Sequence, residues 1–229
     1  MQEMSIYGVS FDLVGKQPIV LLKTADGNKF LPIWIGHPEA AAILMKLQSQ
    51  APPRPMTHDL VADMLEQRLA SMHYALRGID SRFDDDTYAA VLAFQKVHGL
   101  ARTGRVDLAL WQRIASAATP PARYRGDHVE VDKARQVLFE VRRGKVVLVV
   151  HISTGATGNT PPGRWQVYRR VTGWDWVLYY PTYFLRGFAI HGYPSVPPYP
   201  ASHGCVRVPL WVAPRLYEMN GYAESVYVY

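Results

Sequence analysis

Ile190-His191-Gly192, a proline-studded run, and then Ser202-His203-Gly204-Cys205-Val206-Arg207-Val208 hold the only cysteine of this 229-residue chain. A thiol attacks as its thiolate, so a working cysteine needs a neighbour that lowers its pKa or takes its proton. Two histidines lie close to Cys205 in sequence. His191 ends an alternating run from Phe184, in which Phe184, Arg186, Phe188 and Ile190 share one face and Leu185, Gly187, Ala189 and His191 the other; this spacing predicts one strand with His191 at its end. Tyr193 to Pro200 carries four prolines and is excluded from helix. It must loop back and bring Cys205 towards His191. Gly204 permits close approach to a substrate, and the amides of Gly204 and Cys205 are candidates for an oxyanion hole.

This signature closely resembles the active site of the bacterial L,D-transpeptidase catalytic domain. The resemblance implies Cys205 as nucleophile, His191 as general base, the Gly192 carbonyl as the group orienting the imidazole, and Ser202, His203 and Gly204 as support on the oxyanion side. Arg207 stands where many relatives carry Asn and others Arg. No metal or cofactor is implied. On residue chemistry alone two alternatives stay open. A lone cysteine is commonly an inert buried side chain, and His191, His203 and Cys205 are all zinc-ligand types, although the usual close ligand pairs are absent.

With 48% hydrophobic residues the chain has ample material for a core, in one large domain or two small ones. No apolar run reaches about eighteen residues, so no membrane span is expected. Met1-Gln2-Glu3-Met4 lacks a basic region followed by an apolar one, so no secretory signal is visible. The net charge of +6 is uneven. Residues 117–229 hold 13 basic and 7 acidic side chains and carry the excess, beside a net −2 in 1–67 and +2 in 68–116. A basic region of this kind suits an acidic wall polymer or simply a solvated surface.

Residues 4–36 read as strands, with a turn at Ala25-Asp26-Gly27-Asn28. Pro38-Glu39-Ala40 opens a helix that Pro52-Pro53-Arg54-Pro55 stops. The phrases Pro18-Ile-Val-Leu-Leu-Lys23, Leu31-Pro-Ile-Trp-Ile-Gly36, Glu39-Ala-Ala-Ala-Ile43 and Arg54-Pro-Met-Thr-His-Asp-Leu60 resemble the start of the bacterial bifunctional nuclease domain and run out near residue 66. This makes 1–66 a truncated segment of that kind. His37, Glu39, His58 and Asp59 are its conceivable metal or acid–base groups, and equally ordinary surface or capping residues.

Beyond Asp59, Val61, Met64, Leu65, Leu69 and Met72 form an apolar stripe at helical spacing. A second helix is expected to be capped among Asp84, Asp85 and Asp86, to end at Gly99, and to bury Ala90, Val91, Phe94 and Val97. Asp107 caps a third, which presents Leu108, Trp111 and Ile114. Three such helices could share one small core. Residues 60–116, with Ile79-Asp80, Thr87, Ala-Val-Leu-Ala-Phe-Gln95, Gly99-Leu100, Thr103-Gly104 and Trp111, resemble the three-helix peptidoglycan-binding module.

Residues 117–123 read as a small, proline-containing linker. Strands of period two follow at 128–132, 136–141 and 146–153, then a Gly/Pro-rich loop at 154–163, aromatic strands at 165–171 and 174–180, a helix at 210–219 and a closing strand at 225–229. The transpeptidase resemblance covers 124–229. The expected architecture is multidomain α+β, with a partial α+β segment, a small helical module and a β-rich sandwich. What the resemblances imply is a peptidoglycan L,D-transpeptidase working outside the cytoplasm, with peptidoglycan as partner and nucleic acid unlikely. A nuclease acting through the N-terminal segment and a noncatalytic wall-binding protein are the alternatives.

Overall fold

A computed structural model describes residues 3–12, 15–25, 27, 29–48 and 57–229, with side chains from 59 in the last span. Asp26 and Asn28 of the expected turn, the proline stop at 52–55 and the side chain of His58 lie outside the described residues. The fold divides into two compact units, 1–60 and 61–229.

In the first unit, β1 (Met4–Asp12), β2 (Gln17–Thr24) and β3 (Phe30–Trp34) form an antiparallel sheet in chain order, followed by α1 (His37–Leu47) with Pro38 in its first turn. Little is buried there. Among the described residues only Pro18, Val20, Thr24 and Ala40 are shielded, while Tyr7, Phe30 and Trp34 stand half or more exposed.

The second unit begins with helices. Along α2 (Thr57–Ser71) the inward face is Ala62, Leu65, Glu66, Leu69 and then Met72, while Val61 and Met64, expected on that stripe, are exposed. The buried Glu66 explains the shift. Its carboxylate accepts from the Asp80 and Ser81 amides, each at 3.0 Å, and from Thr87 Oγ1 at 2.8 Å, so the helix turns a polar group inward to organise the acidic turn. Helix α3 (Asp85–Val97) is capped by Asp84, whose carboxylate accepts from the Asp86 and Thr87 amides. It is enclosed along nearly its whole length, from Ala89 to Lys96. Asp107 caps α4 (Leu108–Ser116), which buries Leu110 and Ile114; Leu108 points to solvent instead.

These helices have no core to themselves. Leu65, Leu69, Met72, Ala90, Phe94 and Ile114 pack into one cluster with Val137, Phe139, Val141, Val146 and Val149 of the following sheet. Nor are 117–123 a loose tether. Arg68 donates to the carbonyls of Ile114, Ala115 and Ala117, Pro120 is buried, and the Arg123 amide donates to Glu130.

That sheet runs β6 (Lys145–His151), β5 (Val137–Arg142), β4 (His128–Asp132), β13 (Ser225–Val228), β7 (Gly163–Gln166). Strands β4, β5 and β6 do not alternate in burial as the period-two reading expects. One face meets the helices. The other meets a second sheet ordered β12 (Val206–Pro209), β11 (Phe188–Tyr193), β10 (Leu178–Leu185), β8 (Arg169–Arg170), with the short β9 (Trp174–Asp175) beside β10. Val129, Leu138, Leu148 and Val226 from the first sheet and Phe184, Ile190, Val206 and Val208 from the second fill the sandwich, closed by Leu216 of α5 (Ala213–Met219). A sheet covered on both faces reads as continuous apolar strands, as Val146-Val147-Leu148-Val149-Val150 does. Among the described residues no helix is long and apolar enough to cross a membrane.

Candidate active site

The alternation from Phe184 to His191 is not one strand. Leu185 pairs with Phe188 across a tight turn in which Arg186 takes φ 45°, so β10 ends and β11 begins inside the run. His191 sits within β11, which lies parallel to β12 with Ile190 opposite Val206 and His191 opposite Arg207. Ile190 and Val206 point into the sandwich, which puts His191 and Arg207 on the outer face. Cys205 immediately precedes Val206, the first residue of β12, and strand geometry continued by one residue would put it on the face of His191. It lies one strand across and two positions along, about 8 Å away at Cα on sheet spacing.

Each motif residue has a definite place. His191 is buried, and its Nδ1 lies 2.9 Å from the Gly192 carbonyl, which fixes Nδ1 as the donor and leaves Nε2 as the basic nitrogen. Burial, reinforced by Arg207, pulls its pKa down to about 4. Cys205 is partly buried, with Sγ 3.6 Å from the Gly187 carbonyl. Burial pushes its pKa up, and the Ala189 amide and the Arg207 charge pull the other way. The resting pair near neutrality is thus thiol and neutral imidazole. Arg207 stacks on Tyr193, with Cζ 4.0 Å from the ring centre, and the Tyr193 ring meets His191 edge-on.

Ser202 is the hub of the turn. Its hydroxyl donates to the Cys205 carbonyl at 2.6 Å and accepts from the Gly204 amide at 3.0 Å. The Gly204 amide is thus held by Ser202 in this turn. Gly204 has φ 137°, and a Cβ there would stand 2.5 Å from Phe188 Cε1, so only glycine fits. The His203 side chain is exposed, and its carbonyl accepts from Asn159 Nδ2 at 2.7 Å.

The Gly/Pro-rich loop 154–163 holds the cysteine turn from the other side. Thr160 Oγ1 donates to the Gly204 carbonyl at 2.7 Å and accepts from the Gly155 amide at 2.9 Å, and the Thr154 carbonyl accepts from the Ala201 and Ser202 amides. This loop is the mould of the cysteine turn. In sequence, Ser153-Thr154-Gly155 and Thr160-Pro161-Pro162-Gly163 are the phrases that supply these groups. Among the described residues no three His, Cys, Asp or Glu side chains gather as a metal-binding group. His37 lies near the Phe11 ring, and both His37 and Glu39 stand in the first turn of α1.

Two family models match the chain. The bifunctional nuclease domain matches residues 20–114, well beyond residue 66 where its phrases run out, and the L,D-transpeptidase catalytic domain matches 126–228. Two proteins of Mycobacterium tuberculosis, from strains CDC 1551 / Oshkosh and H37Rv and both described as uncharacterized, are 37% identical over 97 residues, 42% of this chain. The chain spans 57% of the length of these curated relatives. Among solved structures, residues 123–326 of the L,D-transpeptidase from Xylanimonas cellulosilytica are 31% identical, with a TM-score of 0.72, over 78% of this chain and 100% of that one. That span exceeds the sandwich and takes in residues before it. With a cysteine turn moulded as described and a likeness running the full length of a solved relative, this chain belongs to the L,D-transpeptidase family.

Proposed function

We propose that the protein is a cysteine acyltransferase of peptidoglycan acting outside the cytoplasm. Cys205 Sγ attacks the carbonyl after the third residue of a tetrapeptide stem, and His191 Nε2 takes the thiol proton. The resulting oxyanion is met by the Cys205 amide. His191 returns the proton to the leaving amine, terminal D-alanine departs, and a thioester remains. A side-chain amine of a neighbouring stem then attacks the thioester to give a 3→3 crosslink, or water does so and frees the shortened stem.

The observation that carries this reading is the contact of Nδ1 with the Gly192 carbonyl, which leaves Nε2 free to accept the thiol proton. Because burial holds the imidazole neutral and the thiol protonated, the proton moves as the C–S bond forms and no ion pair need pre-exist. Intact mass after incubation with a carbapenem tests it. A stoichiometric adduct on the wild type and none on Cys205→Ala is expected; folded wild type that takes no adduct would sink the acyl-transfer reading.

A second reading is favoured by the nuclease-domain match over 20–114. It predicts cleavage of DNA or RNA that persists in Cys205→Ala. Absence of cleavage by the wild type removes it.

A further inference from the structure

The segment between the base and the nucleophile, Pro194 to Ser202, holds prolines at 194, 197, 198 and 200 and so lacks the N–H groups to build its own turns. Its carbonyls are taken instead by side chains from elsewhere. His151 Nε2 donates to the Val196 carbonyl at 2.7 Å, Arg102 Nη1 to that of Pro198 at 2.9 Å, and Ser153 Oγ to that of Tyr199 at 2.7 Å. Two of these three lead back to the helices. Arg102 lies in the loop after α3, and its Nη2 also holds the Ala134 carbonyl at 3.0 Å. Behind His151 stands Lys96, in the last turn of α3 and 1% exposed. Its Nζ lies 2.6 Å from His151 Nδ1 and 2.9 Å from the carbonyls of both Gln136 and Ile152.

The proton count along this chain is closed. Neutral His151 has one N–H, and the Val196 carbonyl claims it at Nε2, so Nδ1 must accept. Lys96 then faces three acceptors, which an ammonium satisfies in full and a neutral amine with two N–H groups does not. Burial and the Arg102 charge pull the other way on the lysine, and burial likewise keeps His151 uncharged. No carboxylate is among the groups Lys96 bonds. A buried cation held this way is poor value as a stabiliser, so its place is better explained by what it holds.

We propose that Lys96, through His151, and Arg102, directly, are positioning residues for acyl transfer: from the helical segment they fix the loop that sets the distance between His191 and Cys205. The proposal rests on the acyl-transfer reading above. The loop delivers its set position to the nucleophile through the Ala201 and Ser202 amides on Thr154 and through the Ser202 hydroxyl on Cys205.

The test uses the full chain with Lys96→Met, Arg102→Ala and Arg102→Lys, read in two ways well below their unfolding temperatures. One is the second-order rate of carbapenem acylation, and the other is hydrogen–deuterium exchange across 195–203. Lys96→Met and Arg102→Ala should each slow acylation by about tenfold or more, the scale of a small misplacement of reacting groups, and speed exchange at Ala201 and Ser202. Arg102→Lys, which keeps a donor for the Pro198 carbonyl, should recover part of both. Together the first two changes should cost less than the product of their separate effects, since they release one loop. Acylation and exchange at wild-type values in both variants would overturn the proposal. If Lys96→Met fails to fold, the partly exposed Arg102 pair decides alone. Wild type that takes no adduct counts against acyl transfer itself, while exchange at Ala201 and Ser202 still judges whether the clamp holds the loop.

Discussion

The sheet β1–β3 and the sheet portion β4–β6 are built of similar material: three antiparallel strands rich in aliphatic and aromatic residues. They end in opposite states. Phe30, Leu31, Ile33 and Trp34 of β3 are all exposed, whereas Val137, Leu138, Phe139 and Val141 of β5 are all buried. Strand chemistry does not decide this. The inner sheet has helices against one face and a second sheet against the other, and each layer removes apolar area from water at about 25 cal/mol per Å². Burial therefore concentrates in the unit that holds His191 and Cys205.

The sharpest way to break this contrast is a cavity. Phe94, fully buried between Tyr74 and His98 against the inner sheet, should cost about 3–5 kcal/mol when changed to Ala, read as a loss of denaturant-unfolding free energy in the second unit. A loss below about 1 kcal/mol would mean that the helix–sheet core is looser than described.

A pH series comes next. Glu140 is buried in β5, and burial outweighs its Asn220 and Arg142 partners and pushes its pKa up to about 8 from an ordinary 4.5. The folded state thus keeps a proton that the unfolded chain releases. This contribution to stability is fully present below about pH 4.5 and is lost as pH rises to about 8. Urea midpoints should fall across that window, and Glu140→Gln should flatten the fall. A slope unchanged in Glu140→Gln would assign it to other groups.

Smaller effects probe the helix ends and the sheet of the first unit. Asp84→Ala removes two cap hydrogen bonds and should cost about 1 kcal/mol. Leu31→Ala, on the exposed strand β3, should stay within about 0.5 kcal/mol. A loss there as large as that of Phe94→Ala would erase the distinction between the two sheets.

The chemistry-bearing turn was legible because short-range rules write it: prolines exclude helix, glycine permits Gly204, and the histidine–cysteine pair has a recognisable spacing. The helix caps at Asp84 and Asp107 were legible for the same reason. What escaped depends on long-range contact. Alternation continues through Arg186-Gly187, so a hairpin looks like one strand. Val61, Met64 and Leu108 have the spacing of a buried face, but the partner surface sits elsewhere, and Glu66 is drawn inward by amides fourteen and fifteen residues away. The continuous apolar run 146–150 was itself the sign of a doubly covered sheet and was read as period two. Lys96 gave no signal at all, because its acceptors are backbone carbonyls and one imidazole brought in by folding.

The doubly covered sheet has a consequence for how such a chain can be divided. The two family matches meet between residues 114 and 126, whereas the compact units meet between 60 and 61. Scissors applied at the family boundary would run through a core: Val137, Phe139, Val141, Val146 and Val149 would face water, and the Lys96 acceptors would lose their shared donor. Where the sequence families part, between residues 114 and 126, the second unit packs one shared core.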